Sequence, residues 1–329
     1  MRYARLGRTD LDVSVLALGC GNFGGIGSDP DLFGKGDDRD AAFALMDAAR
    51  EQGVTLFDTA NSYGGGRSEE MIGRWLDARP GARDEIVLTT KVRNRVGPGE
   101  GDEGLSARHI REQIEESLRR LGTDRVDLYL AHEPDPATPI DETLTAFDEL
   151  IRAGKIRHAG LSNYSGAQLS DAVEVAGTVG LTPPANLQCG YSLLERGVAA
   201  DAFDACERYG VGFTAFSPLA GGWLTGKYRR GEAYPEGSRM TLRPGPYAQV
   251  ATDATYAFIE VLEARAAERG VRLPALALAW VITNPAVCAA IVGPRVPEQL
   301  VRMCAALDVP LTPAERRELV EQPASLEKA

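Results

Sequence analysis

Short apolar runs and longer amphipathic stretches alternate along this chain almost without a break. Residues 13–18, 54–57, 86–91, 126–131, 156–161, 185–188, 211–216 and 289–292 have the length and flanks of buried strands. Between them, apolar residues recur at helical spacing, as in Phe43, Met46 and Ala49 after Asp40, or Ile110, Ile114, Leu118 and Leu121 after Ser106. Asp40 and Ser106 are the expected caps. The pattern predicts further helices over residues 68–77, 141–152, 165–176, 198–209, 253–269, 274–284 and 297–307. A hairpin is expected at the N-terminus, residues 26–39 read as a long exposed loop rich in Gly and Asp, and residues 93–105 as a polar loop.

Eight strand–helix repeats with no change of composition predict a parallel sheet with right-handed crossovers, in one domain spanning residues 1–329. Eight units in this length favour the closed (β/α)8 TIM barrel. The rival is an open doubly wound sheet, which the lack of a G-x-G-x-x-G after the first strand weakens.

Composition changes this picture little. Hydrophobic residues make up 44% of the chain, enough for a sizeable core. The net charge of −11 argues against nucleic acid or an anionic membrane as partner. Cys20, Cys189, Cys206, Cys288 and Cys304 are odd in number and scattered, with no C-x-x-C, so neither a zinc site nor a disulfide framework is expected. The N-terminus lacks the apolar core of a signal peptide, and no run is long enough to cross a bilayer. A reducing cytoplasm is the expected location.

Barrel enzymes carry their chemistry at the C-terminal ends of the strands. Those ends here hold Gly19, Asp58, Lys91, His132, Asn163, Gln188, Ser217 and Gly293. Taken singly, Asp58 is an ordinary turn residue, Lys91 a solvated strand end, His132 a structural histidine and Tyr63 a common loop residue. Together at one mouth they read as a proton donor built by electrostatics. Asp58 would hold Lys91 charged, Lys91 would lower the pKa of Tyr63, and His132 would orient a carbonyl oxygen. The set suits protonation of an oxyanion as hydride arrives at carbon. Side chains supply no hydride, so an organic cofactor is expected. No serine or cysteine nucleophile has a base at credible spacing, and with only three histidines a metal site is not expected.

From residue 2 to about residue 307 the sequence resembles the aldo-keto reductases. The likeness rests on Leu18-Gly19-Cys20-Gly21-Asn22-Phe23-Gly24, on Asp58-Thr59-Ala60 with Tyr63 and Arg67-Ser68-Glu69, and on Thr90-Lys91. It continues through Asp127-Leu128-Tyr129 with His132, Gly160-Leu161-Ser162-Asn163-Tyr164, Gln188 with Tyr191, and Ser217-Pro218-Leu219-Ala220-Gly221-Gly222. The resemblance implies a (β/α)8 barrel that binds NADPH/NADP+ across the strand ends and reduces a small-molecule aldehyde or ketone. The catalytic tetrad falls on Asp58, Tyr63, Lys91 and His132.

By the same resemblance, Ser162, Asn163 and Gln188 hold the nicotinamide carboxamide, and Phe216 stacks on the ring where tyrosine or tryptophan is usual. Gly19, Cys20 and Gly21 line the nicotinamide side, with Asp58 close by. Ser217, Leu219, Gly221 and Lys227 surround the pyrophosphate, and Arg239 lies over the cofactor. Gly293, Arg295 and Gln299 belong to the adenosine end, with Arg295 the partner of a 2′-phosphate or else a solvated charge. Phe23, Tyr63, His132 and Glu133 border the substrate, together with the loop 26–39 and the segment 229–249.

Two departures bear on specificity. Arg302 and Met303 stand where an acid and an asparagine usually meet the adenine, which weakens adenine contacts and adds charge that favours NADPH. Glu133 replaces a usual tryptophan or arginine; it either accepts hydrogen bonds from a hydroxylated or sugar-like substrate or pairs with a nearby arginine. Two other readings stay open: an NADPH-binding sensor subunit with slow turnover, as some relatives are, and a redox-neutral sugar epimerase or dehydratase. The oligomeric state is not legible, since no exposed stripe or heptad stands out.

Overall fold

The computed structural model describes residues 1–99 and 101–321, so residue 100 and residues 322–329 of the expected domain lie outside the described residues. The N-terminal hairpin pairs β1 (Tyr3–Arg5) with β2 (Asp12–Ser14). The apolar run 13–18, expected as one strand, is divided between this hairpin and the barrel. Ser14 Oγ donates to Leu16 O at 2.7 Å and accepts from Thr55 N at 2.9 Å, which turns the backbone at Val15.

The barrel strands follow in chain order: β3 (Leu16–Gly19), β4 (Leu56–Asp58), β5 (Val87–Val92) and β6 (Val126–Ala131). The second half is β7 (Ile156–Ser162), β8 (Asn186–Gly190), β9 (Gly212–Phe216) and β10 (Ala289–Val292). Each pairs in parallel with its neighbour in sequence, and β10 closes the ring on β3 through Ala290 opposite Leu16. The fold is therefore the expected (β/α)8 barrel, and the open doubly wound sheet is excluded.

Two apolar regions hold it together. Inside the barrel, Ala17, Leu56, Val87, Leu128, Leu130, Ala289 and Ile291 pack with Leu6, Leu11 and Val13, so the hairpin plugs the base. Outside, Phe57, Tyr129 and their neighbours pack under helices that contribute Trp75, Ile110, Phe147 and Leu276. The period of two along a strand then dictates the mouth. Leu56 faces the lumen, so Asp58 does too; Val87 leads to Lys91, and Leu128 and Leu130 lead to His132.

Several expected boundaries shift. Asp38, not Asp40, caps the helix Arg39–Glu51, its side chain accepting from Ala41 N at 2.9 Å. Ser106 caps Ala107–Leu121 as expected. Strand β5 runs one residue past Lys91, and Gln188 lies within β8 rather than at its end. The expected helix 198–209 is a tight turn, Gly197–Ala200, followed by the helix Ala202–Tyr209. The loop 26–39 is not simply exposed, because Ile26, Leu32 and Asp37 are buried and Asp37 bridges to Phe23. No helix among the described residues is long and apolar enough to cross a membrane.

Candidate active site

Asp58 ends β4, and the chain after it is anchored before it reaches Tyr63. Thr59 Oγ1 and Ser68 Oγ lie 2.7 Å apart, and Ser68 Oγ donates to Cys20 O at 2.9 Å. Buried Glu69 accepts from Thr90 Oγ1 at 2.6 Å and from Arg120 Nε at 2.7 Å, which ties the helix Arg67–Asp77 to the strand that carries Lys91. Tyr63 opens a tight turn, Tyr63–Gly66, in which Gly64 has φ 59°. A Cβ at Gly64 would come within 2.9 Å of Phe23 O, so only glycine lets the turn sit this close.

Lys91 is fully buried and its ammonium has three partners for three protons. They are Asp58 Oδ1 at 2.6 Å, Thr59 O at 2.9 Å and Tyr63 Oη at 3.4 Å. His132 closes the group, with Nε2 at 3.4 Å from Tyr63 Oη and the two rings edge to face. Asp58, Tyr63, Lys91 and His132, far apart in sequence, thus meet at one mouth. Both Tyr63 and His132 are half-buried, whereas Asp58 and Lys91 lie beneath them.

The electrostatics depart from expectation at Tyr63. Lys91 does pull its pKa down, but burial outweighs that pull, Asp58 adds to burial, and the phenol sits above the ordinary tyrosine range. Burial likewise works against the Lys91 ammonium, yet Asp58 and Tyr63 overcome it and hold the pKa above the usual lysine value. Burial, with the nearby cations Lys91 and Arg93, pushes His132 well below the usual imidazole range. Tyr63 is a phenol and His132 a neutral ring at neutral pH.

Other residues are brought to the same rim. Ser162 is buried, and Asn163 is exposed with φ 61°, its Nδ2 donating to His132 O at 2.9 Å. Gln188 Nε2 donates to Asp58 Oδ2 at 2.8 Å, and among the described residues its carbonyl oxygen has no hydrogen-bond partner. Phe216 ends β9 half-buried, Ser217 has φ 52° and Ala220 φ 47°. Left-handed backbone is uncommon for residues such as Ser217 and Ala220, whereas asparagine adopts it more readily.

Gly19 and Gly21 stay partly open, but Cys20 between them is fully buried, its thiol near Leu18 O at 3.7 Å. Cys20 therefore lines the site only through the backbone. Phe23 also corrects the sequence reading: 1% exposed and packed in the outer core, it presents no surface to a substrate. Its apolar ring goes inward because the loop beyond it folds back through Asp37. Glu133 pairs with Arg93 at 2.6 Å, the ion pair expected as one of its two roles. Met303 packs against the core, and Arg302 is exposed.

The cations at the far rim have no such neutralisation. Among the described residues no carboxylate pairs with Lys227, Arg239 or Arg243, and Arg239 donates instead to Asn22 Oδ1 at 3.0 Å. Burial lowers the pKa of both Lys227 and Arg239, and Arg295 adds like-charge repulsion to each. Gly293 beside them is open, with no atom nearer a Cβ than Asn22 Nδ2 at 4.0 Å. A cationic rim next to open glycine backbone fits the phosphates of a dinucleotide. Arg295 accompanies the cluster, its N–H on Gln299 Oε1 at 2.8 Å and its Nε on Asp37 at 3.2 Å. Leu219 is largely buried below this rim.

Two residues of the site were not singled out by the sequence reading, which placed only their segments, 229–249 and 93–105. Tyr247 Oη lies 2.8 Å from Ser217 Oγ, and its ring stands 2.7 Å from where a Gly221 Cβ would be, so it covers the glycine turn. Asn94 Nδ2 lies 3.3 Å from His132 Nδ1. Neither carries a local signal, since both sit in polar loop sequence.

Comparison with known proteins agrees with this geometry. A family model described as Aldo/keto reductase family matches residues 16–322. "Uncharacterized oxidoreductase YrpG" of Bacillus subtilis (strain 168) is 37% identical over 319 residues, covering 94% of this chain and 92% of that protein. A "Probable voltage-gated potassium channel subunit beta" of Oryza sativa subsp. japonica is 37% identical over 314 residues, with the same coverage. One of the same name from Arabidopsis thaliana is 35% identical over 314 residues, again covering 94% of this chain and 92% of that protein.

Proposed function

This chain belongs to the aldo/keto reductase family and is an oxidoreductase of the carbonyl-reducing type, and we propose that it is an NADPH-dependent reductase of aldehydes or ketones with Tyr63 as proton donor. The observation that carries this reading is the junction of Tyr63 with Lys91 and His132 at 3.4 Å each. Lys227, Arg239 and Arg295 would hold the phosphates of NADPH, which when bound would supply hydride to the carbonyl carbon. Tyr63 gives its proton to the carbonyl oxygen, and the alcohol leaves. The phenolate that remains faces the Lys91 ammonium, which Asp58 keeps charged, and it recovers a proton from solvent. His132 donates to the same oxygen and fixes its direction. The pair Arg93–Glu133 at the mouth offers a donor and an acceptor, which suits a hydroxylated carbonyl compound.

The test is NADPH oxidation by the purified protein over aldehydes, aromatic ketones and keto-sugars, with NADH in parallel. Rapid oxidation with one class supports the reading. The potassium-channel names of two relatives favour a second reading, a cofactor-binding regulatory subunit. Tight NADPH binding with no oxidation by any compound would favour it over the first.

A further inference from the structure

Asn94 stands outside the four side chains at the junction, yet its side chain reaches one of them. Strand β5 ends at Val92, and Arg93 follows with φ 133°, an unusual conformation for a residue with a side chain. Arg93 O is held by Gly104 N at 2.8 Å. The turn brings Asn94 Nδ2 to 3.3 Å from His132 Nδ1, on the side of the ring away from Tyr63. His132 itself is pinned by its backbone. Its N–H donates to Val92 O at 2.8 Å, and its carbonyl accepts from Asn163 Nδ2 at 2.9 Å.

A neutral imidazole carries one proton, and the nitrogen that holds it decides what the ring can do. With the proton on Nε2, His132 donates toward the mouth. With the proton on Nδ1, a lone pair at Nε2 faces the mouth, repels a carbonyl oxygen and competes for the proton of Tyr63. The charged and titratable groups around the ring are Lys91, Arg93, Tyr63 and Glu133, and the cations among them favour the neutral form. An amide NH2 can only donate, so it meets only a lone pair at Nδ1.

We propose that Asn94 is a positioning residue that fixes His132 as its Nε2–H tautomer, so that His132 and Tyr63 both donate toward one carbonyl oxygen. The consequence for turnover rests on the reductase reading; the tautomer itself does not. An amide turned by half a circle would present Oδ1 instead and select the opposite tautomer.

The experiment is nitrogen-15 NMR of the histidine rings in the full chain without substrate. Only three histidines contribute, and the His132→Gln variant identifies the signal. The wild type is expected to have Nδ1 unprotonated and Nε2 protonated across neutral pH. Asn94→Leu should give a mixture of tautomers and a roughly tenfold lower kcat, with NADPH affinity unchanged. Asn94→Asp should accept from Nδ1–H and raise the pKa of the ring, so that turnover falls as pH rises and the imidazolium loses its Nε2 proton. The wild type should lack that limb. An Nδ1–H tautomer in the wild type overturns the proposal. So do two variants with equal losses at every pH and an unchanged tautomer, the result of a purely packing role. An Nε2–H wild type that turns over no carbonyl compound would uphold the tautomer and defeat the reductase reading.

Discussion

Gln188 donates its side-chain amide to Asp58 Oδ2 at 2.8 Å across the whole width of the barrel, since β4 and β8 stand opposite each other in the ring. Asp58 Oδ1 meanwhile accepts from Lys91. Both carboxylate oxygens are thereby committed, so Asp58 serves to fix a cation and not to carry a proton. Gln188→Leu should leave Oδ2 buried without its partner and cost about 1–3 kcal/mol, measured by urea unfolding. Gln188→Glu should instead set two carboxylates together, raise the pKa of one, and lose stability as pH rises through that raised value. A pH-independent loss would count against a direct carboxylate contact.

Removing Lys91 leaves Asp58 buried with only an amide for company. Lys91→Met should destabilise the protein by about 3–5 kcal/mol and abolish most turnover. The double variant Asp58→Asn with Lys91→Met should recover much of the stability and none of the activity. Recovery of activity would mean that the cation has no role beyond holding the fold.

Tyr63→Phe removes one oxygen at the junction of Lys91 and His132. Carbonyl reduction should fall by roughly 10²–10⁴-fold while NADPH affinity stays near wild type. Because burial raises the Tyr63 pKa, the phenol stays protonated at neutral pH, and the proposed donor is lost only as pH climbs through that raised value. The wild-type kcat/KM for reduction should therefore have no loss assignable to Tyr63 between about pH 6 and pH 9. An alkaline limb in that range that disappears in Tyr63→Phe would mean that the Lys91 charge outweighs burial and that the Tyr63 pKa is lowered.

Arg295 divides its side chain between Asp37 and the cationic rim. If Arg295 meets a 2′-phosphate, Arg295→Leu should weaken NADPH binding by about tenfold or more and leave NADH nearly unchanged. Equal losses for both cofactors, read by fluorescence titration, would move Arg295 to a structural role with Asp37.

At the opposite end of the barrel, Asp10 pairs with His158 at 2.9 Å and with Arg157 at 2.7 Å. The hydrogen bond from His158, with the hydrogen bond and charge of Arg157, outweighs burial and lowers its pKa from 3.8 to about 2. A depressed carboxyl stabilises the fold above its unfolded value, and that contribution is lost as pH falls toward about 2. The group is largely exposed, so Asp10→Asn should cost no more than about 1 kcal/mol at neutral pH, with the difference vanishing in acid. A loss that persists at low pH would mean that Asp10 acts by packing.

The order of the chain alone determined the barrel and the identity of the groups at its mouth. Eight apolar runs of strand length, separated by amphipathic helices, admit few parallel closures, and the period of two sends Asp58, Lys91 and His132 inward on the same side as Leu56, Val87 and Leu128. Those are local rules, legible along one strand at a time. What only the tertiary structure decided are relationships between strands and the balance of solvation. No spacing in the sequence brings Gln188 to Asp58, or Asn94 beneath His132, because each contact spans the barrel or a loop whose path is set by packing. Phe23 looked like a mouth residue and lies in the core, since the fold-back through Asp37 buries it. The direction of the Tyr63 shift was also beyond the sequence: the lysine and the tyrosine were visible, but how much water the fold removes from the phenol is a property of the assembled site.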